Sequence, residues 1–129
     1  MVLGFKTHFP DGSPTNFVEA ILSGRKIHSI RSGTRWRKGM SIHMATGVRT
    51  KSYHQFCIKV VQRTNYIVIR PQKKDVWVSG IRLTNEEIEL LAKNDGLTTA
   101  QFWAWFHSDF SGQIIHWTDY RYTDFWDKL

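Results

Sequence analysis

Lys26 and Ser29 stand three residues apart in the segment Gly24-Arg25-Lys26-Ile27-His28-Ser29-Ile30-Arg31, a pairing of residue types that permits nucleophilic chemistry. A serine hydroxyl is a poor nucleophile until a base takes its proton, and a neutral lysine can serve as that base. Lys26 must then titrate well below the ordinary lysine value, and burial beside the charges of Arg25 and Arg31 acts in that direction. Geometry adds a condition. On a regular strand, residues three apart point to opposite faces, so the two converge only if the chain around Gly24 to Ile27 is still turning. The plain alternative is a surface lysine and a turn serine in a basic strand.

The same segment opens a strongly basic stretch. Between Ala20 and Lys74 there are thirteen Lys or Arg and no Asp or Glu, whereas Asp75 to Leu129 carries nine acids against Arg82, Lys93, Arg121 and Lys128. The net charge of +7 is thus concentrated in one half of the chain. Such a field gathers polyanions, of which nucleic acid is the commonest. Arg25, Arg31, Arg35 and Arg37 are the candidates for phosphate contact. Trp36, between the last two, either stacks on a base or folds back as a lid on the core. Arg49, Lys51 and Lys73-Lys74 fall in turns and read as solvated.

Composition bounds the rest. The length of 129 residues suits one domain, taken as 1–129, and 41% hydrophobic with 14% aromatic residues argues for a folded core. Met1 to Phe5 is broken at once by Lys6 and His8, so no signal-peptide pattern forms, and no apolar run suggests a membrane span. Cys57 is the sole cysteine, set in Phe56-Cys57-Ile58 like a small buried hydrophobe. Together these favour a cytoplasmic protein. The six histidines show no metal-ligand spacing, so neither a metal nor another cofactor is expected.

The elements that must position these residues are legible from period and punctuation. Ser13-Pro14 reads as the start of a short helix that ends at Gly24. Strand patterns follow at Ile27–Arg31, Met40–Ala45, Gln55–Val61, Tyr66–Arg70 and Val76–Val78, with a last one at Gln113–Trp117. Thr84 with Glu87, and Thr98 with Gln101, are capping boxes that predict helices over 84–94 and 98–108. Phe102, Trp105 and Phe106 of the last helix read as facing inward. The expected fold is α+β: one small barrel of five to six strands over 27–79 and 113–117, with two or three flanking helices. The tail from Asp119 to Leu129 is acidic and aromatic and carries no recognised motif.

Gly24, Lys26, Ser29 and Arg31 fit the spacing G-x-K-x-x-[ST]-x-R, which resembles the signature of the ASCH domain family, a PUA-like barrel group. In that family the signature follows a short helix and precedes a basic turn and a strand, as Arg35-Trp36-Arg37-Lys38-Gly39-Met40-Ser41-Ile42 does here. Asp95-Gly96-Leu97, followed by Phe102 and Trp105-Phe106, is similar to the segment where the family carries an acid before an aromatic helix. The resemblance implies a PUA-like barrel and a cleft for RNA or nucleosides. One branch, the acetylcytidine amidohydrolases, implies a catalytic set that falls on Lys26, Ser29 and Asp95. Ser29 keeps the branch's hydroxyl, and Asp95 stands one methylene short of its glutamate. A nearby Asp95 would raise the Lys26 pKa, against the effect of the arginines.

The expected function is binding of RNA or a nucleoside through a basic cleft without chemistry. The alternative is a small hydrolase, either an acetylated-nucleoside amidohydrolase or a ribonuclease, using Lys26, Ser29 and Asp95. The basic field favours a polymeric ligand, because a free nucleoside needs no such field.

Overall fold

The computed structural model describes residues 1–122 and places eight strands and three short helices in them. The strands are β1 (Val2–Gly4), β2 (His28–Ser32), β3 (Ser41–Thr46), β4 (His54–Val60), β5 (Arg63–Arg70), β6 (Asp75–Val78), β7 (Ile81–Arg82) and β8 (Phe110–His116). The helices are α1 (Phe17–Leu22), α2 (Asn85–Asn94) and α3 (Thr99–Trp105). Part of the motif-free tail, residues 123–129, lies outside the described residues.

The α+β barrel expected from sequence does not form. The protein is mostly β, with two open sheets of strand order β1-β3-β4 and β2-β8-β5-β6-β7. Edge occupancy explains the difference. β1 pairs parallel with β3, Val2 opposite His43, while β4 takes the other edge of β3. Both edges of β3 are then used, so β2 cannot pair with it and instead pairs antiparallel with β8, His28 opposite His116. β5 occupies the second edge of β8. β1 is only three residues long, too short to show a period, and its presence divides the expected single sheet.

Both capping boxes form, with each threonine side chain accepting from the third helical amide and each Glu87 or Gln101 side chain returning the bond. The expected start of α1 does not. Asp11 Oδ1 accepts from both the amide and the hydroxyl of Ser13, at 2.9 and 2.6 Å, so Ser13 is spent in a local turn. Pro14 bridges to His8, and α1 starts only after Asn16, which has a left-handed φ of 57°. No helix among the described residues is long and apolar enough to cross a membrane.

One apolar core joins the sheets and helices. Leu3, Ile42 and Met44 of the smaller sheet meet Ile30, Ile67, Ile69 and Ile114 of the larger, with Leu91 of α2 and Phe102 of α3 closing the core. Cys57 is a half-buried free thiol packed against this core.

Candidate functional site

The segment between α1 and β2 is held by backbone bonds to two other elements. Gly24, with φ +85°, turns the chain out of α1 in a conformation that glycine adopts without steric cost. The amide of Lys26 then donates back to the carbonyl of Ala20 at 2.9 Å. The Ile27 amide donates to the carbonyl of Asn94, the last residue of α2, also at 2.9 Å. β2 begins only at His28, so Lys26 lies in the turn before the strand and escapes strand alternation. Lys26, Ser29, Arg31 and Asp95 all line one cleft of about 540 Å³, together with Phe17 and Trp105.

Asp95 caps the C-terminal end of α2, and Gly96 follows with φ +82°. A Cβ on Gly96 would lie 3.2 Å from Lys26 Cδ, so the glycine gives the lysine stem its room. The Lys26 ammonium is fully enclosed. Nζ donates to the carbonyls of His28 at 2.9 Å and Asp95 at 2.7 Å, and lies 3.3 Å from Asp95 Oδ1. Its three hydrogens therefore have three acceptors. The Phe17 ring centre is 4.8 Å from Nζ, with Phe5 and Trp117 within about 6 Å, a desolvated cation–π setting. Burial pushes the Lys26 pKa below the ordinary lysine value, Asp95 opposes that, and Arg31 adds to it.

Arg31 forms the adjoining wall. Its Nη2 donates to the carbonyl of Gly4 at 2.6 Å and its Nε to Ser29 Oγ at 3.2 Å. The guanidinium sits 5.1 Å from the Phe5 ring centre. Burial lowers its pKa to about 10, with Asp95 acting the other way and Arg35 reinforcing the fall. Three polar groups remain available for a ligand. Ser29 keeps its own hydrogen, Arg31 Nη1 has no partner among the described residues, and neither has Asp95 Oδ2.

The other sequence candidates separate. A second cleft of about 380 Å³ shares Gly4 and Arg31 as lining residues with the first and adds Arg35. Trp36 is 2% exposed, with Gln113 clamping its backbone through paired bonds of 3.0 and 2.9 Å. A ring so buried presents no face to a base. Arg37 is exposed and lines neither cleft. Arg25 pairs with Glu19 and lies instead beside Lys93 and Asn94.

Sequence reasoning passed over Trp105, Lys6 and His28. Trp105 was expected to face inward, yet it is half-buried and lines the cleft, with Lys6 Nζ 5.8 Å from its ring centre. The signal was present: Phe102 and Phe106 together suffice for the buried stripe of α3. His28 lies inside the motif but faces the interior, where its ring meets that of His116 edge to face at 5.4 Å. Among the described residues no group of three or more His, Cys, Asp or Glu is arranged to hold a metal ion.

His116 carries a pH prediction. Burial, reinforced by the charges of Arg63 and Arg121, lowers its pKa from 6.5 to about 2. The unfolded chain then binds a proton that the folded chain refuses, so stability rises with pH across that window and is lost in acid. Acidifying from about pH 7 to about pH 5 should cost about 2 kcal/mol, and His116→Gln should flatten the dependence. Urea unfolding of both proteins at the two pH values measures it.

Compared with family models, with characterised proteins and with solved structures, the chain gives no match.

Proposed function

We propose that the protein binds single-stranded RNA, taking one nucleoside unit into the cleft lined by Ser29, Arg31, Asp95 and Trp105. The observation that carries this reading is the pairing of unsatisfied polar atoms with aromatic surface in one cavity. An open carboxylate oxygen, a hydroxyl and a guanidinium nitrogen match the mixed donors and acceptors of a base edge, and an adjacent Trp105 offers a stacking surface. The cleft volume of about 540 Å³ suits a small ligand rather than a whole helix. Arg35, which lines the neighbouring cleft together with Arg31, supplies charge for a flanking phosphate.

The bonding of Lys26 favours binding over hydrolysis. A base needs a free lone pair aimed at the serine, but Lys26 Nζ faces two carbonyl oxygens and a carboxylate. Those acceptors suit an ammonium. Ser29 Oγ accepts from Arg31, a donor that holds a hydroxyl without deprotonating it. The likeness to the ASCH family supports the same reading, since Lys26, Ser29, Arg31 and Asp95 carry it and line this cleft.

Fluorescence anisotropy with a labelled single-stranded RNA of about 12 nucleotides tests the proposal. With one phosphate held by Arg35, log affinity should fall against log salt with a slope of about −0.7. Arg35→Glu should weaken binding to all sequences alike, and Arg25→Glu should change it little. Equal losses from both variants would mean that a diffuse field, and not this cleft, holds the RNA.

A further inference from the structure

Behind Asp95, away from the cleft, buried hydrogen bonds run to the last described residue. Asp95 Oδ1 lies 2.9 Å from His28 Nδ1, and His28 Nε2 lies 2.6 Å from the Tyr122 hydroxyl. Asn94 Nδ2 donates to that same hydroxyl at 2.9 Å. His28 is 0% and Tyr122 4% exposed, and neither lines the cleft.

The direction of each bond follows from charge. Asp95, paired with Lys26 as a carboxylate, only accepts, so His28 carries its hydrogen on Nδ1. In the neutral ring Nε2 is then the acceptor, and the phenol donates to it. Asn94 fills a lone pair on the phenol oxygen. Because Asn94 and Asp95 are consecutive, the circuit closes on itself through the backbone. Lys26 Nζ reinforces it by donating to the carbonyls of His28 and Asp95, two of its members. This arrangement occupies Oδ1 and leaves Oδ2 without a partner among the described residues, on a residue that lines the cleft.

We infer that Tyr122 is a positioning residue for the cleft: acting through His28, its hydroxyl fixes the Asp95 carboxylate in the orientation that a bound base meets. The inference rests on the reading of the cleft as a base-binding site. It makes the chain that follows β8, in which sequence showed no motif, part of the binding machinery. Arg63 Nη1 helps fasten that chain by donating to the Tyr120 carbonyl at 3.0 Å.

Two measurements test it. Long-range proton–nitrogen NMR of the unliganded wild type should show His28 with its hydrogen on Nδ1 and Nε2 accepting. Tyr122→Phe should move the Nε2 resonance, since its donor is gone. A wild-type ring protonated on Nε2 instead would overturn the inference. The second measurement is a double-mutant cycle on RNA affinity. Tyr122→Phe and Asp95→Asn should each weaken binding about tenfold, and the double variant should bind no more weakly than Asp95→Asn alone. Additive losses would show that Tyr122 acts by some route other than Asp95 and would also overturn it. If the wild type binds no RNA, the base-binding reading falls, and the NMR result alone decides whether Tyr122 holds Asp95.

Discussion

Lys26→Met is expected to destabilise the protein by about 3–5 kcal/mol, the usual cost of removing one partner from a buried ion pair. Methionine fills the same channel between Phe5, Phe17 and Trp117, so lost packing contributes little. What remains is the Asp95 carboxylate, itself 5% exposed, without its nearest cation. The carbonyls of His28 and Asp95 also lose their donor. Lys26→Arg should not rescue fully, because a planar guanidinium does not fit a site shaped around a compact ammonium. Chemical denaturation measures the loss. A decrease below about 1 kcal/mol would show that the pair is exposed enough for water to replace the ammonium.

Arg31→Ala should weaken RNA binding by about 1.5–3 kcal/mol, roughly tenfold to a hundredfold, the value of a hydrogen bond from a charged donor. The guanidinium does three things at once: it ties to Gly4, it holds Ser29 Oγ, and it leaves Nη1 for the ligand. Arg31→Lys should recover little of the loss, since one ammonium cannot span the same three directions. Anisotropy at constant salt, with circular dichroism to show that the variant is folded, reads the effect. Unchanged affinity in a folded Arg31→Ala would remove Arg31 from the interface.

The convergence of the candidate residues was more legible than the fold. Gly24, Lys26, Ser29 and Arg31 are close in sequence, and their convergence required only a turn that Gly24 could supply. Asp95 is distant in sequence, and the bond from the Ile27 amide to Asn94 that brings it near leaves no trace in composition. Helix starts were legible where side chain and backbone cooperate locally, as at Thr84 and Thr98. The start of α1 failed because Asp11 competes for Ser13, a contest that propensity alone does not resolve. The separation into two sheets was hidden because β1 has no period to read, and the choice of partner for each edge is a tertiary matter. Trp36 shows the limit for aromatics. Its arginine neighbours left a stacking face and a lid on the core equally open; paired bonds from Gln113 hold its backbone and its ring is buried in the core. Tyr122 carried no sequence signal, because a single hydroxyl acquires meaning only from the histidine it meets.

The measurement that bears most directly on the proposed function is titration of the isotope-labelled protein with a short single-stranded RNA of about six nucleotides, followed by amide and indole NMR shifts. The expected result is a saturable set of changes at Ser29, Arg31, Asp95 and the Trp105 indole, extending to Arg35, with Arg25 and Lys93 left unmoved. Changes centred on Arg25 and Lys93, or no changes at low salt, would contradict binding in the cleft.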